Sequence, residues 1–326
     1  MKINALKMFV VSRVPLLVAA AIFLFSTGTP VARASANIRG DRIRVNIFAS
    51  AILEDGEYVA VGERGEVYLS GNSGQSWQRV ESGVPYQLFS VCFVDQNRGW
   101  ASGALGAMVA TEDGGKTWHV EKTGTQKHLF AVDFSDAQHG CAVGDWGTVL
   151  VTDNGGATWR NVSLAKDVVL YAVQWIGPQI GIIAGEFGQI FKTTDGGGHW
   201  EPLTSPATQS LFSMCRSGNT IFCAGLDGVV VFSEDGGKTW QKAVSPTKKA
   251  IYDIAVSGSQ GMAVGEEGTV IYSNDGGREW KAEKVPIQAR LFWFDTVSFR
   301  ANSKPVGFGA GAHGFVFRIR DGQLIW

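Results

Sequence analysis

Apolar positions along this chain come in short runs that alternate with polar residues and are interrupted by Gly or Asp every few positions. Between residues 88 and 122 the runs cover roughly 88–95, 99–103, 106–112 and 117–122. A period of two over four to eight residues, bounded by turn formers, predicts strands; a helical period does not fit. The group of four runs then recurs. An aliphatic–aromatic pair opens each unit, at Ile47-Phe48, Leu88-Phe89, Leu129-Phe130, Leu170-Tyr171, Leu211-Phe212, Ile251-Tyr252 and Leu291-Phe292. Four short strands per unit of about forty residues, repeated seven times, predict an all-β, seven-bladed β-propeller with four-stranded blades.

Two phrases keep the repeat in register. The first is [ST]-x-[DN]-x-G-x-x-W, ending at Trp77, Trp118, Trp159, Trp200, Trp240 and Trp280, with spacings of 41, 41, 41, 40 and 40 residues. A hydroxyl, then Asp or Asn two residues on, then Gly, is turn chemistry: the short side chains bond nearby backbone N–H groups and Gly supplies positive φ. The Trp covers the turn with a large apolar face. A calcium loop would gather several oxygen ligands in one place, whereas each of these turns offers one or two, so the boxes read as structural. The second phrase is a G-x-x-G pair, beginning at Gly62, Gly103, Gly144, Gly185, Gly225, Gly265 and Gly311, and its first Gly stands 15 residues before each box Trp. From Gly311 that offset reaches Trp326, the last residue, which makes a seventh, degenerate box around Asp321. Trp326 leaves no residues for the strand that follows Trp elsewhere. Residues 42–46 are therefore predicted to supply it and to close the ring, removing two exposed edges.

Residues 1–36 contain no acidic residue, and Lys2, Lys7 and Arg13 precede the twelve-residue apolar run Val14–Phe25 and the small-residue stretch 32–36. That is the layout of a secretory signal peptide cleaved after Ala34 or Ala36, with an uncleaved anchor as the alternative. The run is too short to span a bilayer. Two regions follow: 1–36, a signal peptide, and 37–326, the propeller, exported to a periplasm or a thylakoid lumen. Loss of Lys2, Lys7, Arg13 and Arg33 leaves 25 basic against 30 acidic residues, a net charge of −5, which argues against a nucleic-acid partner. No linker or composition break divides the remainder, and a monomer is expected. The four Cys sit within apolar strand patterns without CxxC spacing, so no metal or redox motif and no cofactor is expected. Cys215 and Cys223 flank a Gly218-Asn219 turn, diagonally across a hairpin; buried free thiols are favoured over a disulfide.

The box phrase, the Gly-x-x-Gly-x-Val pattern, the Asp-Gly-Gly-Lys-Thr-Trp stretches at 113–118 and 235–240, the seven units and the signal peptide together resemble the photosystem II stability and assembly factor family and its non-photosynthetic bacterial relatives. The resemblance covers nearly all of the chain after residue 36. It implies a seven-bladed propeller that is not an enzyme and that binds membrane or envelope proteins, a photosystem II reaction-centre protein where the organism is photosynthetic. Asp-boxes also occur in sialidases and other glycosidases, so a glycoside hydrolase or carbohydrate-binding propeller is the alternative. A sialidase needs three clustered arginines, and only Arg64 and Arg290 fall at mouth positions. Other glycosidases need two carboxyls at suitable separation, and Asp145, Glu186, Asp227, Asp253 and Glu266 lie on or near the mouth.

The candidate partner-binding residues are Arg64, Trp146, Phe187, Asp253, Arg290, Trp293 and His313. Arg64, Trp146, Phe187 and His313 are inner residues of G-x-x-G pairs, which join the second and third strands at the mouth. Trp146 and Phe187 stand out, because large aromatics on neighbouring tips are costly without a partner. Asp253 and Trp293 break a run of small residues (Ala49, Ser90, Ala131, Ala172, Ser213) that follows the opening aromatic, and Arg290 is placed to pair with Asp253.

Overall fold

The computed structural model describes residues 43–54, 56–300, 306–320 and 323–326, all within one compact unit that spans Gly40–Trp326. The proposed signal peptide and its cleavage sites lie outside the described residues. Seven four-stranded antiparallel sheets follow one another along the chain, each ordered from innermost to outermost strand as in the sequence. Blade 1 consists of Ile47–Ile52, Tyr58–Gly62, Glu66–Ser70 and Gln78–Glu81, and blade 7 of Phe294–Arg300, Val306–Gly311, Val316–Arg320 and Gln323–Ile325.

The second strand of each blade is buried on both faces, as in Gly140–Gly144, because it is sandwiched between neighbouring blades. One apolar cluster lies between each pair of neighbours. Val143, Val149 and Val151 of blade 3 meet Leu170, Ile183 and Phe191 of blade 4, and Phe308 and Ala310 of blade 7 meet Tyr58, Tyr68 and Trp77 of blade 1. Each fully buried side chain of this kind contributes about 1.5–3 kcal/mol. Polar bonds along the inner strands add to the packing. The Asp133 carboxylate accepts the Trp175 N–H at 2.6 Å and the Gln174 amide at 2.9 Å, tying blade 3 to blade 4.

Two expectations are corrected and one is borne out. First, residues 43–46, the described part of the segment 42–46 expected to close the ring, form no strand. Blade 7 has its own outer strand, Gln323–Ile325, and the strand assignment at the other end begins only at Ile47. Ile43 and Val45 are instead buried between blades 7 and 1. The segment occupies the position of an inter-blade linker: Asn46 O accepts the Glu63 N–H at 3.0 Å, as His128 O accepts the Asp145 N–H at 3.1 Å in blade 3. Second, blade 7 is out of step with the aliphatic–aromatic pairs. In the other blades the aliphatic residue pairs with the first Gly of G-x-x-G, as Ile251 does with Gly265. In blade 7 the residue opposite Gly311 is Phe294, not Leu291. Six aromatics from Phe48 to Tyr252 therefore touch in series, with centroid distances of 5.2–6.1 Å, and Asp295 takes the seventh place. Phe292 lies outside that series and stacks on Phe315 at 5.3 Å. The third, that free thiols are favoured over a Cys215–Cys223 disulfide, is borne out: Cys215 pairs with Phe222 and Cys223 with Met214, so the two thiols point to opposite faces of the sheet. They remain free, as do Cys92 and Cys141, and burial raises the pKa of each.

Candidate functional site at the mouth of the propeller

The two ends of the ring are built from different turns. At one end lie the boxes. Thr193 Oγ1 accepts the Gly197 N–H at 2.9 Å and donates to Asp195 Oδ1 at 2.8 Å, and Asp195 Oδ1 accepts the His199 N–H at 3.0 Å. The same three bonds recur in the other five boxes, for example around Ser233, Asp235 and Thr239. His199 hydrogen-bonding to Asp195 and Thr239 to Asp235 hold both carboxyls well below the ordinary carboxylate value. The Asp carboxylates at the third position of the boxes serve their own turns, while Glu234 reaches Arg278 of the next box.

The other end, the mouth, is formed by the G-x-x-G turns and the linkers that lead to the next blade. The spacing has a steric cause. A Cβ on Gly144 would sit 1.8 Å from His128 O, and one on Gly147 would sit 2.6 Å from Lys166 O, so the turn lies directly on linker backbone. One hydrogen bond repeats in all seven blades: the N–H following the first Gly donates to the carbonyl just ahead of the inner strand, at 2.9–3.1 Å. The second inner residue of each pair is held in the left-handed region. Arg64, Leu105, Trp146, Phe187, Asp227, Glu267 and His313 have φ between 51 and 58°. Non-Gly residues are strained there, by about 1 kcal/mol or more each. Linker side chains support some of them: the N–H of Leu105 donates to His128 Nδ1 at 3.2 Å, and that of His313 to Asn46 Oδ1 at 2.7 Å. The constant backbone places seven variable, exposed side chains in a crown around the mouth.

The crown is asymmetric. Leu105, Trp146 and Phe187, on consecutive blades, are 50, 59 and 58 % exposed, and Leu226 of blade 5 is also exposed. Arg64, Asp227, Glu267 and His313 occupy the other blades, with Glu267 ion-paired to Lys249 at 2.7 Å. Arg64, Trp146, Phe187 and His313 thus stand at one end, as the sequence placed them. Asp253, Arg290 and Trp293 do not form a unit. The Asp253 carboxylate accepts from Ser213 Oγ at 2.6 Å, Thr296 Oγ1 at 3.2 Å and the Val297 N–H at 2.9 Å, joining three blades. Among the described residues no ion pair joins it to Arg290, which lies on an exposed turn of the blade 6–7 linker. Trp293 precedes the inner strand and uses its carbonyl to accept the Ala312 N–H. The residue that follows the inner position in blade 7 is Thr296, so the expected neighbourhood of Asp253 and Trp293 came from the misplaced register.

The mouth carboxylates are largely turned to the backbone. Glu186 Oε2 accepts the Val169 N–H at 2.9 Å, and Glu266 Oε2 accepts that of Ala250 at 3.3 Å. Burial raises the pKa of Asp145, with the charge of His128 opposing. Two other carboxyls are pushed up to about 7 by burial. One is Asp133, toward the box end of its inner strand. The other is Glu121, which accepts the Trp159 indole N–H at 3.3 Å. Among the described residues no group of three or more His, Cys, Asp or Glu could hold a metal ion. The left-handed crown was not anticipated from the sequence; its one signal was the fixed three-residue spacing of the glycines with bulky residues between them.

Six boxes and the seven left-handed turns define an Asp-box propeller whose mouth carries the variable residues. The family model described as Photosynthesis system II assembly factor YCF48 matches residues 71–167, 121–204 and 157–245. These matches together span more than half of the chain, and the protein belongs to that family. Among solved structures the chain is similar to "YCF48 bound to D1 peptide", at 18 % identity and a TM-score of 0.68, covering 90 % of this chain and 99 % of that one. It is similar to YCF48 from Cyanidioschyzon merolae at 18 % identity and a TM-score of 0.65, covering 85 % and 98 %. A GH74 xyloglucanase from Xanthomonas campestris shares the fold at 13 % identity and a TM-score of 0.67, covering 87 % of this chain and 54 % of the enzyme. No curated protein matches the sequence.

Proposed function

We propose that the protein is an exported, non-catalytic assembly or stability factor whose mouth holds an extended segment of a membrane or envelope protein. One observation carries this reading: the left-handed turns hold Leu105, Trp146 and Phe187 out in solvent on three consecutive blades. Gly would relieve the strain at each of these positions, so bulky apolar residues there point to a use outside folding. Neighbouring apolar tips suit the side chains of a peptide laid across the mouth. A relative of the same family has been solved with a D1 peptide, which makes a reaction-centre protein the partner where the organism is photosynthetic. Compartment follows from the leader sequence, and N-terminal sequencing of the exported protein would check it; a Met1 terminus there would refute cleavage.

The glycosidase reading has the xyloglucanase likeness in its favour. Against it, Glu186, Glu266 and Asp253 are engaged by backbone N–H groups. The decisive experiment is a pull-down from the organism's own membranes with residues 37–326, run beside an assay of polysaccharides and aryl glycosides. Retention of a membrane protein that is lost in Trp146→Ala and Phe187→Ala is the expected result. Turnover abolished by Glu186→Gln or Asp253→Asn would overturn the proposal.

A further inference from the structure

We propose that the turn Ile287–Leu291, in the linker between blades 6 and 7, is a membrane contact that seats in the surface of an anionic lipid bilayer. The linker runs from Glu283 to Trp293, eleven residues, where the preceding one between Lys242 and Ile251 has eight. The insertion presents the two most exposed large hydrophobic side chains among the described residues, Leu291 at 78 % and Ile287 at 74 %. They are held there by a built backbone. Ala289 N–H donates to Pro286 O at 3.0 Å, Leu291 N–H to Gln288 O at 3.2 Å and Phe292 N–H to Ala289 O at 3.2 Å. Ala289 is fully buried, and its carbonyl lies against Gly268 of the blade 6 mouth turn. Two exposed aliphatic side chains on one short turn fit a soft surface that they can enter.

Charge favours the same occupant. The stretch 281–291 carries Lys281, Lys284 and Arg290 against the single carboxylate Glu283, which accepts the Lys284 N–H at 2.9 Å. The neighbouring acids are engaged as well, Glu267 by Lys249 and Glu266 by the Ala250 N–H. Lys284 and Arg290 are exposed beside the aliphatic pair, the combination that binds headgroups of anionic lipids while apolar side chains enter the acyl boundary. The chain enters the ring at the mouth, where Ile43 O lies against Gly314 of blade 7. The proposal rests on the blade 6–7 linker and is independent of the apolar arc on blades 2–4.

The test is co-sedimentation of residues 37–326, which contain the whole compact unit, with vesicles at low ionic strength. Vesicles of mixed phosphatidylcholine and phosphatidylglycerol should retain the protein, and phosphatidylcholine alone should not. Ile287→Ser with Leu291→Ser should weaken retention on the order of tenfold or more, and Lys284→Ala and Arg290→Ala about fivefold each, an effect that fades with salt. Val244→Ser, which alters a comparably exposed aliphatic residue elsewhere, should leave retention unchanged. All five residues are exposed, so melting should not change. Failure of the wild type to sediment with mixed vesicles, or equal retention of the Ile287/Leu291 double variant, would overturn the proposal.

Discussion

The box end and the mouth end of this propeller are made by the same seven repeats, yet they use their side chains in opposite ways. At the box end the backbone and the side chains are both constant. Thr193, Asp195 and Gly197 close a set of hydrogen bonds on themselves, and the other boxes repeat it. At the mouth the backbone is as constant, with the same carbonyl accepting the same N–H in every blade, while the residue at the apex changes from Arg64 to Leu105 to Trp146 and on to His313. Chemistry that repeats identically holds the fold. Chemistry that varies on a repeating frame is free to recognise something, and here the frame carries it in a strained conformation.

The largest effect should come from the frame of the mouth. Gly144→Ala would drive a Cβ into His128 O and should lower stability by about 3 kcal/mol, read as a lowered denaturant midpoint; an unchanged midpoint would refute the steric account of the G-x-x-G spacing. Next comes the apex. Trp146→Ala or Phe187→Ala should weaken partner binding by about 2 kcal/mol, and Phe187→Gly should be at least as stable as the wild type, because Gly relieves the left-handed strain. A marked drop in melting temperature for Phe187→Gly would show that the ring packs on its own fold instead. Asp195→Ala, at the box end, should lower stability by about 1 kcal/mol through lost turn bonds and leave partner binding intact at a temperature where it is folded. Loss of binding without a change in melting would reverse the roles of the two ends.

The smallest effect per site is the acid response of the boxes. Their carboxyls are exposed at Asp195, Asp235 and Asp275 and half-buried at Asp113, with folded-state pKa values lowered from 3.8 at all four. A lowered value contributes stability that is present above the unfolded pKa and lost as pH falls through the folded one. The stability advantage of the wild type over Asp195→Asn should therefore shrink as pH drops below 3.8. An advantage that grew on acidification would contradict the assignment.

Local chemistry was legible wherever it closes on itself. A box reads directly as a turn because all its partners lie within eight residues, and the constant offset from Gly to Trp counted seven units. The candidates Arg64, Trp146, Phe187 and His313 were placed at one end by that count alone. Blade 7 went wrong because two changes coincide there. The three-residue insertion around Ile287–Leu291 carries its own aliphatic–aromatic pair, Leu291-Phe292, which imitates the opening of a unit, while Phe294-Asp295 lacks the aromatic that marks the others. The bonding of Asp253 is not legible in the sequence, since its partners Ser213 and Val297 lie 40 and 44 residues away on other blades.

The sequence by itself determined the fold class, the number of blades, the box turns and which residues crown the mouth, because each depends on short-range patterns repeated at a fixed period. Tertiary structure alone decided how the ring closes, what Asp253 bonds to, and that the apex residues are left-handed. These depend on contacts between blades and on the approach of a turn to linker backbone, and no spacing within one repeat encodes either. The N-terminal segment shows this most plainly. As a sequence, 42–46 looked like a missing strand; in the ring, Ile43 and Val45 fill the linker position between blades 7 and 1, because Gln323–Ile325 already provides the outer strand.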